Sequence, residues 1–231
     1  MLEDNLASTS EWTVASSAVN VVKDLANQLR ISPILAQILA ARNLVDPQTC
    51  RNFLNPFSQP MLLRDMGVAV KRIEQALATG EKMLAYGDYD VDGTCSLAIL
   101  KRSLEILGGS VDIHVPHRLQ EGYGLRQEVI ERAAEKETTL IVTVDTGIRD
   151  HAVIEYAGSR GIDVIVTDHH LPDATLPPAL AIVNPNRPDC TYPNKHLCGA
   201  GVTLKLADAL FRYRSLGTRR RKQILSSLVK R

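Results

Sequence analysis

The chain has 231 residues, enough for one large domain or one domain with a smaller appendage, and 45% of them are hydrophobic, which suits a soluble protein with a real core. Aromatics make up only 4%, so that core is expected to be aliphatic, and the net charge of +1 hides a strongly basic C-terminal stretch. The strand-like apolar runs are far too short to cross a bilayer, the N-terminus lacks the basic and apolar regions of a signal peptide, and the four cysteines form no CxxC pair. These features argue against a membrane span, a secretory leader and a zinc knuckle, and predict free thiols and a cytoplasmic location.

In chain order, residues 1–16 are polar and small and are expected to be disordered. Residues 17–80 predict a helical cap. Val21, Val22, Leu25 and Leu29 recur at helical spacing; Ser32 then caps a second helix with Pro33 at its first position and Ile34, Leu35, Ile38 and Leu39 on its apolar face. Asp46-Pro47 repeats the start signal before Cys50, Phe53 and Leu54. After the breaks at Asn55-Pro56 and Gln59-Pro60, another helix is expected over 65–78, ended by Gly80.

From 81 to 213 the pattern changes. Short apolar runs alternate with amphipathic helical stretches: 82–86 then 96–107, 111–115 then 127–134, 140–144 then 152–157, and 163–166 then 181–183. Such alternation predicts an α/β domain, a parallel β-sheet flanked by helices. A further amphipathic stretch runs from Gly201 through Leu204, Leu206, Leu210 and Phe211. Residues 214–231 read as a basic tail, because from Ala209 onward there is no acidic residue and there are eight basic ones. Such a cluster can neutralise phosphates, although a solvated helix face is the commoner use of one.

The chemistry-bearing residues collect at the expected carboxyl ends of the strands, where open parallel sheets bind ligands. The first strand runs into Gly87-Asp88-Tyr89-Asp90-Val91-Asp92-Gly93. In an extended segment Asp88, Asp90 and Asp92 would share one face, a repulsive arrangement unless a cation sits among them. Gly93 would let the chain turn into a helix whose N-terminus favours phosphate. The third strand ends in Asp145-Thr146-Gly147 and the fourth in Asp168-His169-His170. Singly each has a bland reading, Asp145 as a helix cap and a histidine as a satisfied surface or core residue. Together, carboxylates with one or two imidazoles suit Mn²⁺ or Mg²⁺, the imidazoles tilting the preference toward Mn²⁺. Two ions about 3.5–4 Å apart would clamp the attacking and leaving oxygens of an in-line phosphoryl displacement.

The run 86–93, the Val144-Asp145-Thr146-Gly147 turn and Asp168-His169-His170 resemble successive motifs of the DHH phosphoesterase superfamily, and within it a single-strand-specific DNA exonuclease. Ile31-Ser32-Pro33-Ile34-Leu35-Ala36, Glu121-Gly122-Tyr123-Gly124-Leu125, Val183-Asn184-Pro185-Asn186 and Cys198-Gly199-Ala200-Gly201-Val202 extend the similarity over residues 20–213. The resemblance implies metal ligation by Asp90, Asp92, Asp145, His169 and His170, with Asp145 bridging two Mn²⁺ or Mg²⁺ ions and Asp88 and Asp168 in or next to the coordination sphere. It implies substrate contacts from Arg118 and Tyr123 and from backbone N–H groups of the Gly199-Ala200-Gly201 turn, for which a plain tight turn is the alternative; His196 is expected to be structural. The implied activity is release of mononucleotides from the 5′ end of single-stranded DNA, in DNA repair and recombination. Members of the superfamily continue with another acidic motif and further domains, so the chain reads as truncated, with an incomplete second ion site and poor nuclease activity. The alternatives are a hydrolase of short oligonucleotides, cyclic dinucleotides or polyphosphate, and a non-catalytic DNA- or metal-binding remnant.

Overall fold

Five parallel strands, β1 (Lys82–Gly87), β2 (Val111–His114), β3 (Thr138–Val144), β4 (Asp163–Thr167) and β5 (Ala181–Val183), form one sheet in the order β2-β1-β3-β4-β5. A computed structural model of the chain describes residues 18–54 and 59–229; the stretch 1–16, expected to be disordered, lies outside them. The chain divides into two compact units, Met1–Pro56 and Phe57–Arg231.

In the first unit, α1 (Val19–Leu29), α2 (Pro33–Ala41) and α3 (Pro47–Leu54) surround Leu25, Ala36, Leu39, Ala40 and Cys50. The start signals work as expected. Ser32 Oγ accepts the Leu35 N–H at 3.2 Å, and Asp46 Oδ2 accepts that of Thr49 at 2.7 Å.

The second unit holds the sheet between two helical layers, and strand periodicity sorts its residues between them. Met83 and Ala85 of β1, Leu140, Val142 and Val144 of β3, and Ile165 of β4 join one core with α4 (Met66–Thr79), α5 (Val91–Ile106) and α8 (Gly199–Tyr213). Leu84, Tyr86, Ile141, Val164 and Val166 face the other way, onto α6 (Gln127–Glu135) and α7 (His151–Ser159). Burial on both faces is why the central strands read as continuous apolar runs. Among the described residues no helix is long and apolar enough to cross a membrane.

Three expectations are corrected. The helix expected to end the N-terminal cap, α4, belongs to the second unit: Met66, Ala69, Val70, Ile73 and Ala76 enter the sheet core beside α8 and β5. Residues 181–183, expected to continue the helical alternation, form strand β5, joined to β4 by loop 168–180 with no helix between. Instead of a tail, the basic stretch folds as α9 (Thr218–Val229), with Leu225 buried beside Ile99, Ala207 and Phe211. Arg221 secures it through Asp208, 2.9 Å away.

Candidate metal centre

The chain passes from β1 outward to β2 and then back across β1 to β3. This reversal opens a crevice beyond the carboxyl ends of β1 and β3, the place where an open α/β sheet takes its ligand. Asp88 follows β1 and Asp145 follows β3, and both are buried. The extended face expected for Asp88, Asp90 and Asp92 does not form. Asp90 caps α5, its Oδ1 accepting the Gly93 N–H at 2.9 Å, so Asp92 lies in the first helical turn. The turn is possible because residue 93 is glycine: a Cβ there would lie 2.5 Å from the Asp88 carbonyl oxygen. The carboxylates of Asp88, Asp90 and Asp145 still converge, with one oxygen from each within 4.8 Å of the others.

Asp145 belongs to a second cluster as well, with ring nitrogens of His169 and His170, again within 4.8 Å. Its side chain is 1% exposed, and neither oxygen receives a well-aligned hydrogen bond, although His169 Nε2 lies 3.1 Å from Oδ1. A buried carboxylate left this way is costly, and a ring nitrogen so near it implies that the two share a proton or a cation. Burial pushes the Asp145 and Asp88 carboxyls up, and the contact with Asp145 pushes the His169 imidazole up. The donor set of carboxylate oxygens and imidazoles fits a hard or borderline divalent cation.

Asp168 has another task. Fully buried, it accepts the N–H groups of Ile148, His169 and His170 at 2.7–3.1 Å, and its Oδ1 lies 2.7 Å from His170 Nδ1. A ring held at Nδ1 by a carboxylate keeps its lone pair on Nε2. The same contact pushes the His170 imidazole up. Asp168 therefore orients a histidine, and its own oxygens are occupied.

Asp92 is tied to α8. Its two oxygens accept the Gly199 and Ala200 N–H groups at 2.6 and 2.7 Å, and Oδ2 lies 3.6 Å from His169 Nε2. The expectation that the Gly199–Gly201 backbone faces substrate phosphate is thereby corrected. The helix N-terminus is spent on a carboxylate of the protein itself, a favourable use of its orphan N–H groups. The Gly201 N–H faces the Cys198 sulfur. Gly199 is needed for a different reason, since a Cβ there would stand 2.6 Å from both Cβ and Cγ of Asp145.

At the rim, the Tyr123 hydroxyl lies 3.3 Å from His170 Nδ1, and its side chain is half exposed. Its loop is held from beneath by buried Tyr86, whose hydroxyl donates to the Gly124 carbonyl at 3.0 Å. The exposed Arg118 guanidinium sits over the Tyr89 ring, 5.4 Å from its centroid. Sequence reasoning gave no role to Asn184 and Asn186, whose amides donate to the His170 and His169 carbonyls at 2.9 and 2.5 Å. The available signal was position: the pair directly follows a strand, as the acidic motifs do.

Residues 82–229 match the model of the DHH family, N-terminal domain. The chain is 41% identical over 209 residues to the single-stranded-DNA-specific exonuclease RecJ of Bacillus subtilis, covering 89% of this chain and 27% of that protein. A crystal structure of exonuclease RecJ bound to manganese superposes with a TM-score of 0.63 at 38% identity, over 72% of this chain and 42% of that one. RecJ from Thermus thermophilus in complex with Mn²⁺ gives 0.70 at 28% identity, over 92% of this chain and 30% of that one. The chain thus spans about 30% of the length of the curated relatives it matches.

Proposed function

Since the chain belongs to the DHH family, we propose that it hydrolyses phosphodiester bonds in single-stranded DNA, using divalent cations held by the clustered Asp88, Asp90, Asp145, His169 and His170, with Asp92 beside His169 as a further ligand. The observation that carries this reading is Asp145: buried, without an aligned donor, and shared by both clusters of ligand atoms. Mn²⁺ or Mg²⁺ bound there would supply positive charge for the attacking and leaving oxygens of an in-line displacement. RecJ relatives crystallised with Mn²⁺ support a divalent ion of this kind, and the description of RecJ relatives as single-stranded-DNA-specific exonucleases supports the substrate.

The protein's own part is placement. Asp145 is fixed at the end of β3, where its N–H donates to the Thr167 carbonyl at 2.9 Å. Asp168 sets the His170 ring, and the start of α8 fixes both oxygens of Asp92. Without a cation, a proton on the His169 ring, whose Nε2 lies 3.1 Å from Asp145 Oδ1, would offset the buried charge. On this reading the half-exposed Tyr123 ring would stack on a base and the exposed Arg118 guanidinium would meet a phosphate. The first unit is then an accessory helical region, the second carries the phosphoesterase site, and the basic helix α9 contacts nucleic acid. The work is DNA repair or recombination in the cytoplasm.

The test incubates labelled single-stranded and duplex DNA with the chain and Mn²⁺, beside Asp145→Asn. The expected result is nucleotide release from single strands that needs Mn²⁺ and is lost in the variant. Mn²⁺-dependent binding of DNA without release would overturn the hydrolase reading in favour of a binding role.

A further inference from the structure

The histidine pair is held from two sides, and only one of them belongs to its own motif. Asp168 grips the His169 and His170 N–H groups and the His170 ring. Asn186 Nδ2 donates at 2.5 Å to the His169 carbonyl, on the other edge of the 169–170 peptide whose N–H Asp168 holds, and Asn184 Nδ2 donates at 2.9 Å to the His170 carbonyl of the next peptide. Asn184 is fully buried, and its Oδ1 accepts the Asn186 backbone N–H at 2.7 Å. The orientation of the Asn184 amide follows from its partners: one faces it with a carbonyl, which can only accept, and the other with an N–H, which can only donate. The loop carrying both asparagines is itself pinned, because Lys195 Nζ donates to the Pro185 and Cys190 carbonyls at 2.6 Å each. Between Asn184 and Asn186 stands Pro185, whose fixed φ narrows the conformations open to the segment.

We propose that Asn184 and Asn186 are positioning residues for the metal centre, a two-pronged clamp that fixes the 169–170 backbone so that both imidazoles face Asp145. The inference rests on the metal-site reading above. Rotation of either peptide would swing a Cα–Cβ bond and carry the imidazole off its line; Asp168 holds the 169–170 plane by its N–H edge alone, Asn186 adds a hold on the carbonyl edge, and Asn184 holds the 170–171 plane. The two prongs are unequal. Asn186 contributes one side-chain bond to the histidine pair, whereas Asn184 contributes one and also holds Asn186 in place.

The experiment uses the 231-residue chain as wild type, Asn186→Ala, Asn186→Gln and Asn184→Ala. It reads Mn²⁺ affinity by calorimetry and, without metal, the His169 and His170 ring-nitrogen resonances of ¹⁵N-histidine-labelled protein. Removing an outer partner of a metal-binding histidine commonly weakens the metal by about ten- to a hundredfold. Asn186→Ala is expected to fall in that range and to move the His169 resonances, with a melting temperature near wild type. Asn186→Gln should recover part of the affinity, and Asn184→Ala should lose at least as much as Asn186→Ala. Mn²⁺ affinity within about twofold of wild type in Asn186→Ala, with unmoved ring resonances, would overturn the clamp. If Asn186→Ala does not fold, the same reading applies to Asn186→Asp, which keeps the size but removes the Nδ2 donor, and unaltered affinity and resonances there refute the clamp. A wild-type chain that binds no Mn²⁺ overturns the metal-site reading itself, while ring resonances that still move in the metal-free variants keep that failure distinct from failure of the clamp.

Discussion

Adding one methyl group at Gly199 should damage the centre without replacing a candidate ligand. The new Cβ would stand 2.6 Å from Cβ and Cγ of Asp145, about 0.8 Å inside the 3.4 Å at which ordinary van der Waals contact begins. Asp145 has no room to yield, since it is 1% exposed and sits at φ 62° directly after β3. The start of α8 must therefore retreat, stretching the Gly199 and Ala200 hydrogen bonds to Asp92 from their 2.6 and 2.7 Å. Overpacking costs about 1–3 kcal/mol, and a lost hydrogen bond to a charged group costs about 1.5–3 kcal/mol. Alanine's better helix propensity returns about 1 kcal/mol at most. A net loss of about 1.5–5 kcal/mol follows, which for a protein of this size lowers the melting temperature by about 3–20 °C. Mn²⁺ affinity should fall by about tenfold, because Asp92 and Asp145 move apart. Thermal melts with and without Mn²⁺, and a Mn²⁺ titration, check both. Gly199→Ala with unchanged melting temperature and unchanged Mn²⁺ affinity would refute the close approach of α8 to Asp145.

Three further outcomes follow from the same geometry. Asp88, Asp145, His169 and His170 are all pushed up, so the metal-free folded site binds protons more tightly than the unfolded chain, and that stabilisation fades as pH rises from about 4 through the raised values above 6.5. Metal-free Asp145→Asn should accordingly gain on wild type as pH rises, by about 1–3 kcal/mol at about pH 8.5, and Mn²⁺ should reverse the order; pH-dependent melts of the two proteins would contradict this if the gap stays constant. Tyr123→Ala should weaken single-stranded DNA binding by about 5- to 100-fold through lost stacking while Tyr123→Phe stays near wild type, and fluorescence anisotropy showing equal loss in both would assign the effect to the hydroxyl. Arg219, Arg220 and Lys222 are exposed, and no ion pair engages them among the described residues; replacing all three with alanine should lower the slope of log affinity against log salt by about 2, and an unchanged slope would leave α9 out of the interface.

The sequence made the strands legible because a sheet covered on both faces concentrates β-branched and aliphatic residues into runs such as 140–144, and the acidic and histidine motifs at their ends marked the site. Geometry inside those motifs was less legible. Alternation of Asp88, Asp90 and Asp92 suggested an extended face, but capping by Asp90 and the close approach allowed by Gly93 start the helix just after the buried Asp88. The use of the α8 N-terminus by Asp92 joins residues more than 100 positions apart, beyond the reach of local pattern. For α4, periodicity revealed an apolar face but not the surface it covers. For α9, the arginines obscured Leu216, Ile224, Leu225 and Leu228, whose spacing already carried a helical signal. A strand of three residues, β5, is too short to show any period.

Asp145 is the one residue common to both clusters of candidate ligand atoms found among the described residues. Crystals of the chain soaked in Mn²⁺ and measured at the manganese absorption edge test its role as a ligand. Anomalous density is expected against Asp145 on the side of Asp88 and Asp90, on the side of His169 and His170, or on both, and is expected to disappear in Asp145→Asn. Density elsewhere on the protein, or density at the site that persists in Asp145→Asn, would contradict that role.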